Sequence, residues 1–173
     1  MSARLGLEGR SALVTAGMSH SGRACVGRLR QEGMAVAFTD SDREGGAALA
    51  AETGALFLEW DPLDRAACDS AVSQALEATG ARLDVLVTNA ARCVDGPLES
   101  TPEPVVQDLL EANLTAAFRA ARACFGPMQA RGGGSMIHVA SAAGIRAVHE
   151  TAAYSVAAAG VIALAELFAS SKS

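Results

Sequence analysis

Short apolar runs alternate along the chain with longer stretches in which apolar and polar positions recur at helical spacing. SALVT (11–15), MAVAFTD (34–40), ALFLEW (55–60), LDVLVTN (83–89) and the apolar centre of GGGSMIHVAS (132–141) are brief and bounded by Gly, Asp, Asn or Ser, which predicts five strands. Between them, helices are predicted from Ser21 to Glu32, closed by Gly33, and through an Ala-rich stretch ending near Thr53. A third helix is predicted from near Pro62 to Gly80. Pro102 and Pro104 open a fourth that runs through about Cys124, with Gly126-Pro127 after it, and Thr151 to Ser170 forms the last. Strands that are apolar nearly throughout, separated by helices, imply a parallel sheet covered on both faces. Right-handed crossovers then favour a doubly wound, Rossmann-type α/β fold.

The 173 residues make one domain with enough chain for a substantial core. Half of them are hydrophobic and 19% are charged, which separates the chain from disordered sequences. A formal charge of −5 leaves no basic surface for nucleic acid. MSARLGLEGR lacks the apolar centre of a signal peptide. The most apolar run, Ala152 to Ala169, is interrupted by Tyr154, Ser155 and Glu166 and reads as a buried or interface helix rather than a membrane span. Cys25, Cys68, Cys93 and Cys124 are scattered, and His20, His138 and His149 show no ligand spacing. The expectation is therefore a cytoplasmic protein without disulfide, metal or membrane partner.

A parallel sheet of this kind binds ligands beyond the carboxyl ends of its strands, in the loops after Thr15, Asp40, Trp60, Asn89 and Ser141. Those loops hold the candidate chemistry. TAGMSHSGRA (15–24) follows the first strand, where a dinucleotide site needs glycines so that backbone amides and a helix N-terminus reach the pyrophosphate. Asp40 ends the second strand and Asp61 follows the third. A carboxylate at Asp40 accepts hydrogen bonds from ribose hydroxyls and repels a 2′-phosphate. It reads equally well as a turn or helix-capping aspartate, and so does Asp61. Asn89 lies in TNAA and Asn113 in EANL, and an asparagine within an apolar helix needs partners for its amide.

In this order, strand-T-x6-G-R-A, Asp40, DVLVTNAA, EANL, the serine of VASAAG and YSVAAAG resemble the short-chain dehydrogenases/reductases over essentially the whole sequence. The resemblance implies five strands ordered 3-2-1-4-5, without the strands that end the family's fold and with the fifth strand left as an apolar edge. It implies a nicotinamide cofactor, NAD(H) rather than NADP(H) because of Asp40, held by Thr15, Gly22, Asp40, Asp61 and Asn89. It further implies a small carbonyl or alcohol substrate, a catalytic set of Ser141, Tyr154 and Asn113, and oligomers formed through the last two long helices.

Two departures qualify that expectation. The family's T-G-x-x-x-G-x-G turn reads here as Thr15 with Ala16, His20 and Gly22, so only the last glycine remains and an imidazole stands where phosphate approaches backbone. Ser141 and Tyr154 keep the family's thirteen-residue separation, but the lysine expected four residues after the tyrosine is Ala158, and Lys172 is the chain's only lysine. An unperturbed phenol has a pKa near 10, and a neighbouring positive charge lowers an acid by about 1–3 units. The expectation is NAD(H)-dependent alcohol/ketone interconversion with impaired turnover. A non-catalytic subunit that assembles with an active partner is the alternative, and cofactor-free lyase or isomerase chemistry ranks last.

Overall fold

The computed structural model describes residues 5–89, 92–94, 96–146 and 148–170. Five parallel strands, β1 (Ser11–Val14), β2 (Ala35–Asp40), β3 (Leu56–Glu59), β4 (Val85–Asn89) and β5 (Ser135–Val139), form one sheet in the order β3-β2-β1-β4-β5. The six helices are α1 (His20–Gln31), α2 (Arg43–Thr53), α3 (Ala67–Ala78), α4 (Glu103–Leu110), α5 (Ala116–Ala130) and α6 (Ala152–Ser170). The side on which successive strands are added switches between β1 and β4, so the crevice of a doubly wound fold opens there.

Two apolar layers sandwich the sheet. On one face Leu13, Leu58, Trp60, Leu86, Cys68, Val72, Ala120, Cys124 and Met128 pack together, joining the strands to α3 and α5. On the other, Val14, Val36, Phe38 and Val87 meet Val26 of α1 and Leu49 of α2. Alternate strand residues supply the two layers, as a pleated sheet buried on both sides requires. The starts of β1 and β4 are pinned by Asp84, whose carboxylate accepts the Ser11 N–H at 2.8 Å and pairs with Arg82 at 2.7 Å.

Two helix boundaries differ from the sequence expectation. The helix predicted from Pro62 begins at Ala67, because Asp61 turns the chain by accepting the Leu63 N–H at 2.9 Å and Asp64 accepts those of Ala66 and Ala67. The helix predicted to stop near Cys124 runs on to Ala130 with Pro127 inside it. Cys124 and Met128, one turn apart, are both buried on the sheet, and that packing carries the helix past a residue costing about 3 kcal/mol in a helix interior.

Between α4 and α5 lies a π turn, Glu111–Thr115, which places Asn113 in the interior at 2% exposure. The last helix, α6, buries Ala153, Ala157, Ala158, Val161 and Leu164 and packs on α4, the π turn, β5 and a short 3₁₀ turn, Ala142–Gly144. By length and composition α6 could also cross a membrane. A residue set buried along one side fits a helix laid against the fold.

Candidate active site

The turn after β1 keeps a glycine-type conformation without its first glycine. Ala16 sits at φ +50°, in the left-handed region that costs an L-residue about 1–2 kcal/mol. Its carbonyl accepts the Ser19 N–H and hydroxyl, and Ser19 in turn accepts the Gly22 N–H at 3.0 Å as N-cap of α1. Both remaining glycines are sterically required. A Cβ on Gly22 would lie 2.2 Å from the Ala16 oxygen, and one on Gly17 would lie 2.4 Å from the Phe38 ring. His20 occupies the first position of α1, where its side chain is exposed.

A cleft of about 350 Å³ lies over the carboxyl ends of β1 to β4. Thr15, Asp40, Asp61, Asn89 and Asn113 all line it, together with Trp60 and Arg92. Five of the eight residues singled out by sequence thus converge on one cavity, and Gly22 closes the turn at its edge. Asp40 is not the helix N-cap, a role that Asp42 fills by accepting the Gly45 N–H. Instead the Asp40 carboxylate accepts the Met18 N–H at 2.9 Å and the Asp42 N–H at 3.1 Å, tying β2 to the turn after β1. A carboxylate accepts about four hydrogen bonds, so capacity remains for ligand hydroxyls.

Asn89 and Asn113 serve the scaffold as well as the cleft. The Asn89 amide donates to Ser19 and Ser21, clasping the end of β4 to the first turn of α1, while its N–H bonds Thr15 Oγ1 at 3.1 Å. Asn113 accepts the Arg92 N–H at 3.2 Å and donates to the Arg92 carbonyl at 2.7 Å, so both ends of its amide are satisfied across 21 residues of sequence. Ala90 and Ala91, which complete the TNAA motif, lie outside the described residues.

Ser141 and Tyr154 stand apart from the cleft lining. Ser141 follows β5 and caps the 3₁₀ turn by accepting the Ala143 N–H at 3.2 Å, leaving its hydroxyl proton free to donate. The turn is pressed onto α6, where a Cβ on Gly144 would lie 2.6 Å from the Ala158 carbonyl carbon. Tyr154 is half-buried in the first turn of α6, and no described residue hydrogen-bonds its hydroxyl. Ala158, one turn on, is 4% exposed. Beneath β4 and β5, His138 Nδ1 meets Thr88 Oγ1 at 2.6 Å, and its buried Nε2 has no partner. Burial accordingly pushes the His138 pKa below its ordinary 6.5.

The cleft therefore combines a tight turn at a helix N-terminus, a carboxylate at the end of β2 and two asparagines at the crevice, while a serine turn packed on a tyrosine-bearing helix stands apart from its lining. Residues 10–172 match the family pattern described as short chain dehydrogenase. The chain belongs to that family. The probable galactose dehydrogenase GalD of Rhizobium meliloti (strain 1021) is 36% identical over 169 residues, covering 94% of this chain and 66% of GalD. An NAD+-bound xylitol dehydrogenase superposes with a TM-score of 0.87 at 27% identity over 94% of this chain and 65% of its own. An actinorhodin polyketide ketoreductase with NADPH does so with 0.88 at 28% identity, over 92% and 63%. The chain thus spans just under two thirds of the length of these relatives, and the family uses nicotinamide cofactors.

The sequence reading missed three contributors. Gly17 stood at an unassigned position of the motif, although a second glycine in a strand-to-helix turn was a usable signal. Ser19 gave the ordinary N-cap signal. Arg92 carried no signal, because only the Asn113 contact fixes its backbone at the cleft.

Proposed function

We propose that the chain is an NAD(H)-binding oxidoreductase of the short-chain type that interconverts an alcohol and a ketone slowly. The convergence of Thr15, Asp40, Asp61, Asn89 and Asn113 on one cleft beyond the strand ends carries this reading. The residues present fit a dinucleotide: the turn holds the conformation that glycine would give it, α1 offers its N-terminus, and His20 faces solvent. Asp40, half-buried with spare acceptor capacity, would take the adenosine ribose hydroxyls and disfavour a 2′-phosphate, which makes NAD(H) the preferred cofactor. Bound there, the nicotinamide would supply or accept hydride.

The chain's own residues would handle the oxygen. Ser141 would donate its free hydroxyl proton to a substrate carbonyl, and Tyr154 would give or take the proton at the same oxygen. Asn113 would act by holding the Arg92 loop in position. With Ala158 in place of a lysine, nothing on that turn of α6 stabilises a phenolate, and proton transfer is the slow step. The test is a titration with NADH and NADPH, read as enhanced nicotinamide fluorescence. The expected result is saturable NADH binding, NADPH weaker, and the preference lost in Asp40→Ala. Absence of NADH binding at millimolar concentration would remove the reading.

A second reading, a binding or assembly subunit, is favoured by surface features. β5 pairs only with β4, and Ile137 on it is 51% exposed beside a groove of about 620 Å³ lined by Phe125, Met128, His138 and Phe168. Phe118 of α5 and Val156 and Leu167 of α6 are also exposed, at 39%, 60% and 53%. Association through α5 and α6 is compatible with either reading. Cys25, Cys68 and Cys124 as thiols rather than disulfides suit a cytoplasmic setting.

A further inference from the structure

The charged residues lining the cleft are unevenly placed. Asp40 and Asp61 stand at the ends of β2 and β3, whereas Arg92, just beyond β4, is the one cation among the described lining residues. Its backbone is anchored at both N–H and C=O by the Asn113 amide, itself 2% exposed and held in the π turn. Its side chain is exposed, and no described carboxylate pairs with it. In contrast, Arg43, Arg65, Arg82 and Arg119 are engaged by Glu59, Glu111 or Asp84. Arg92 thus lines the cavity from an anchored backbone, with no described carboxylate holding its guanidinium. Such a fork suits a phosphate or carboxylate, which it can hold by two parallel hydrogen bonds.

We infer that Arg92 is an oxyanion-binding residue of the cleft, taking a phosphate or carboxylate group of the bound molecule. Two sources share that chemistry: the diphosphate of a dinucleotide, which rests on the function proposed above, and a carboxylate on the substrate. The position also bears on the missing lysine. A positive charge is available at the β4 end of the cleft, although α6 provides none on the turn that follows Tyr154.

Calorimetric titration of the full chain with ADP, adenosine and pyruvate tests the inference in the wild type, Arg92→Gln and Arg92→Lys. Charge-assisted hydrogen bonds contribute about 1.5–3 kcal/mol, or roughly ten- to hundred-fold in affinity. If the cofactor diphosphate is the partner, Arg92→Gln weakens ADP by that factor, leaves adenosine unchanged, and Arg92→Lys recovers part of the loss. If a substrate carboxylate is the partner, pyruvate is weakened instead while ADP holds. Equal affinities of wild type and Arg92→Gln for all three probes would overturn the inference, with an unchanged thermal transition as the check on folding. Wild type that binds pyruvate but neither ADP nor NADH would remove the dinucleotide reading while leaving Arg92 to be judged on the pyruvate arm. Wild type that binds none of the probes would remove both.

Discussion

The turn after β1 is governed by distances at single residues. Ala16 tolerates φ +50° because its carbonyl is held by Ser19 and its side chain is one methyl group, while Gly22 has no such latitude. With a Cβ 2.2 Å from one backbone atom and 2.8 Å from another, Gly22→Ala must displace the turn from the first turn of α1. Overpacking of this kind costs about 1–3 kcal/mol, and the shift also moves the amides proposed to receive phosphate. Urea unfolding should show a lowered midpoint in Gly22→Ala, accompanied by weakened NADH binding. A variant with unchanged midpoint and affinity would contradict the steric role. Thr15, Asp40, Asp61, Asn89 and Asn113 were legible as cleft residues because each ends or follows a strand or stands out as polar in an apolar helix. Arg92 was not, since an arginine in a loop is defined only by the asparagine that reaches it through the fold.

At the scale of elements, the strands were legible from short apolar runs that end in Gly, Asp or Asn, their parallel pairing followed from the alternation with helices, and their order came from the family resemblance. Boundaries governed by competing caps were not. Asp61-Pro62 reads as a helix start, yet Asp61 spends its carboxylate on a turn and Asp64 takes the first helical amides. Gly126-Pro127 reads as a stop, yet buried contacts of Cys124 and Met128 prevail over it. The sheet's own register depends on a polar pin. Arg82 and the Ser11 hydrogen bond hold Asp84 down from the ordinary 3.8 to about 2. A carboxyl whose pKa is depressed by folding stabilises the fold above its unfolded pKa, and that stabilisation fades as pH falls from 3.8 through about 2. Asp84→Asn should therefore unfold at lower urea concentration than wild type at pH 7, with the difference shrinking toward pH 2. A difference independent of pH would mean that the carboxylate charge does not matter to the β1–β4 pin.

For the molecule as a whole, Phe118 of α5, Val156 and Leu167 of α6 and Ile137 of the edge strand β5 are exposed apolar side chains. Self-association through the two helices should give a mass of at least two chains in size-exclusion chromatography with light scattering. Val156→Glu combined with Leu167→Glu should return it to one chain while keeping the circular dichroism of the wild type. A wild-type monomer at high micromolar concentration would exclude this interface.

The cleft proposed to hold the cofactor is present, whereas the α6 turn following Tyr154 carries Ala158 in place of a charge. Steady-state oxidation of NADH by a reactive ketone, compared in wild type and Ala158→Lys near neutral pH, tests most directly whether the missing charge limits turnover. Slow turnover is expected in wild type and a gain of at least about ten-fold in Ala158→Lys, where an ammonium one turn from Tyr154 would stabilise the phenolate. Wild-type turnover as fast as that of the lysine variant would contradict that limit.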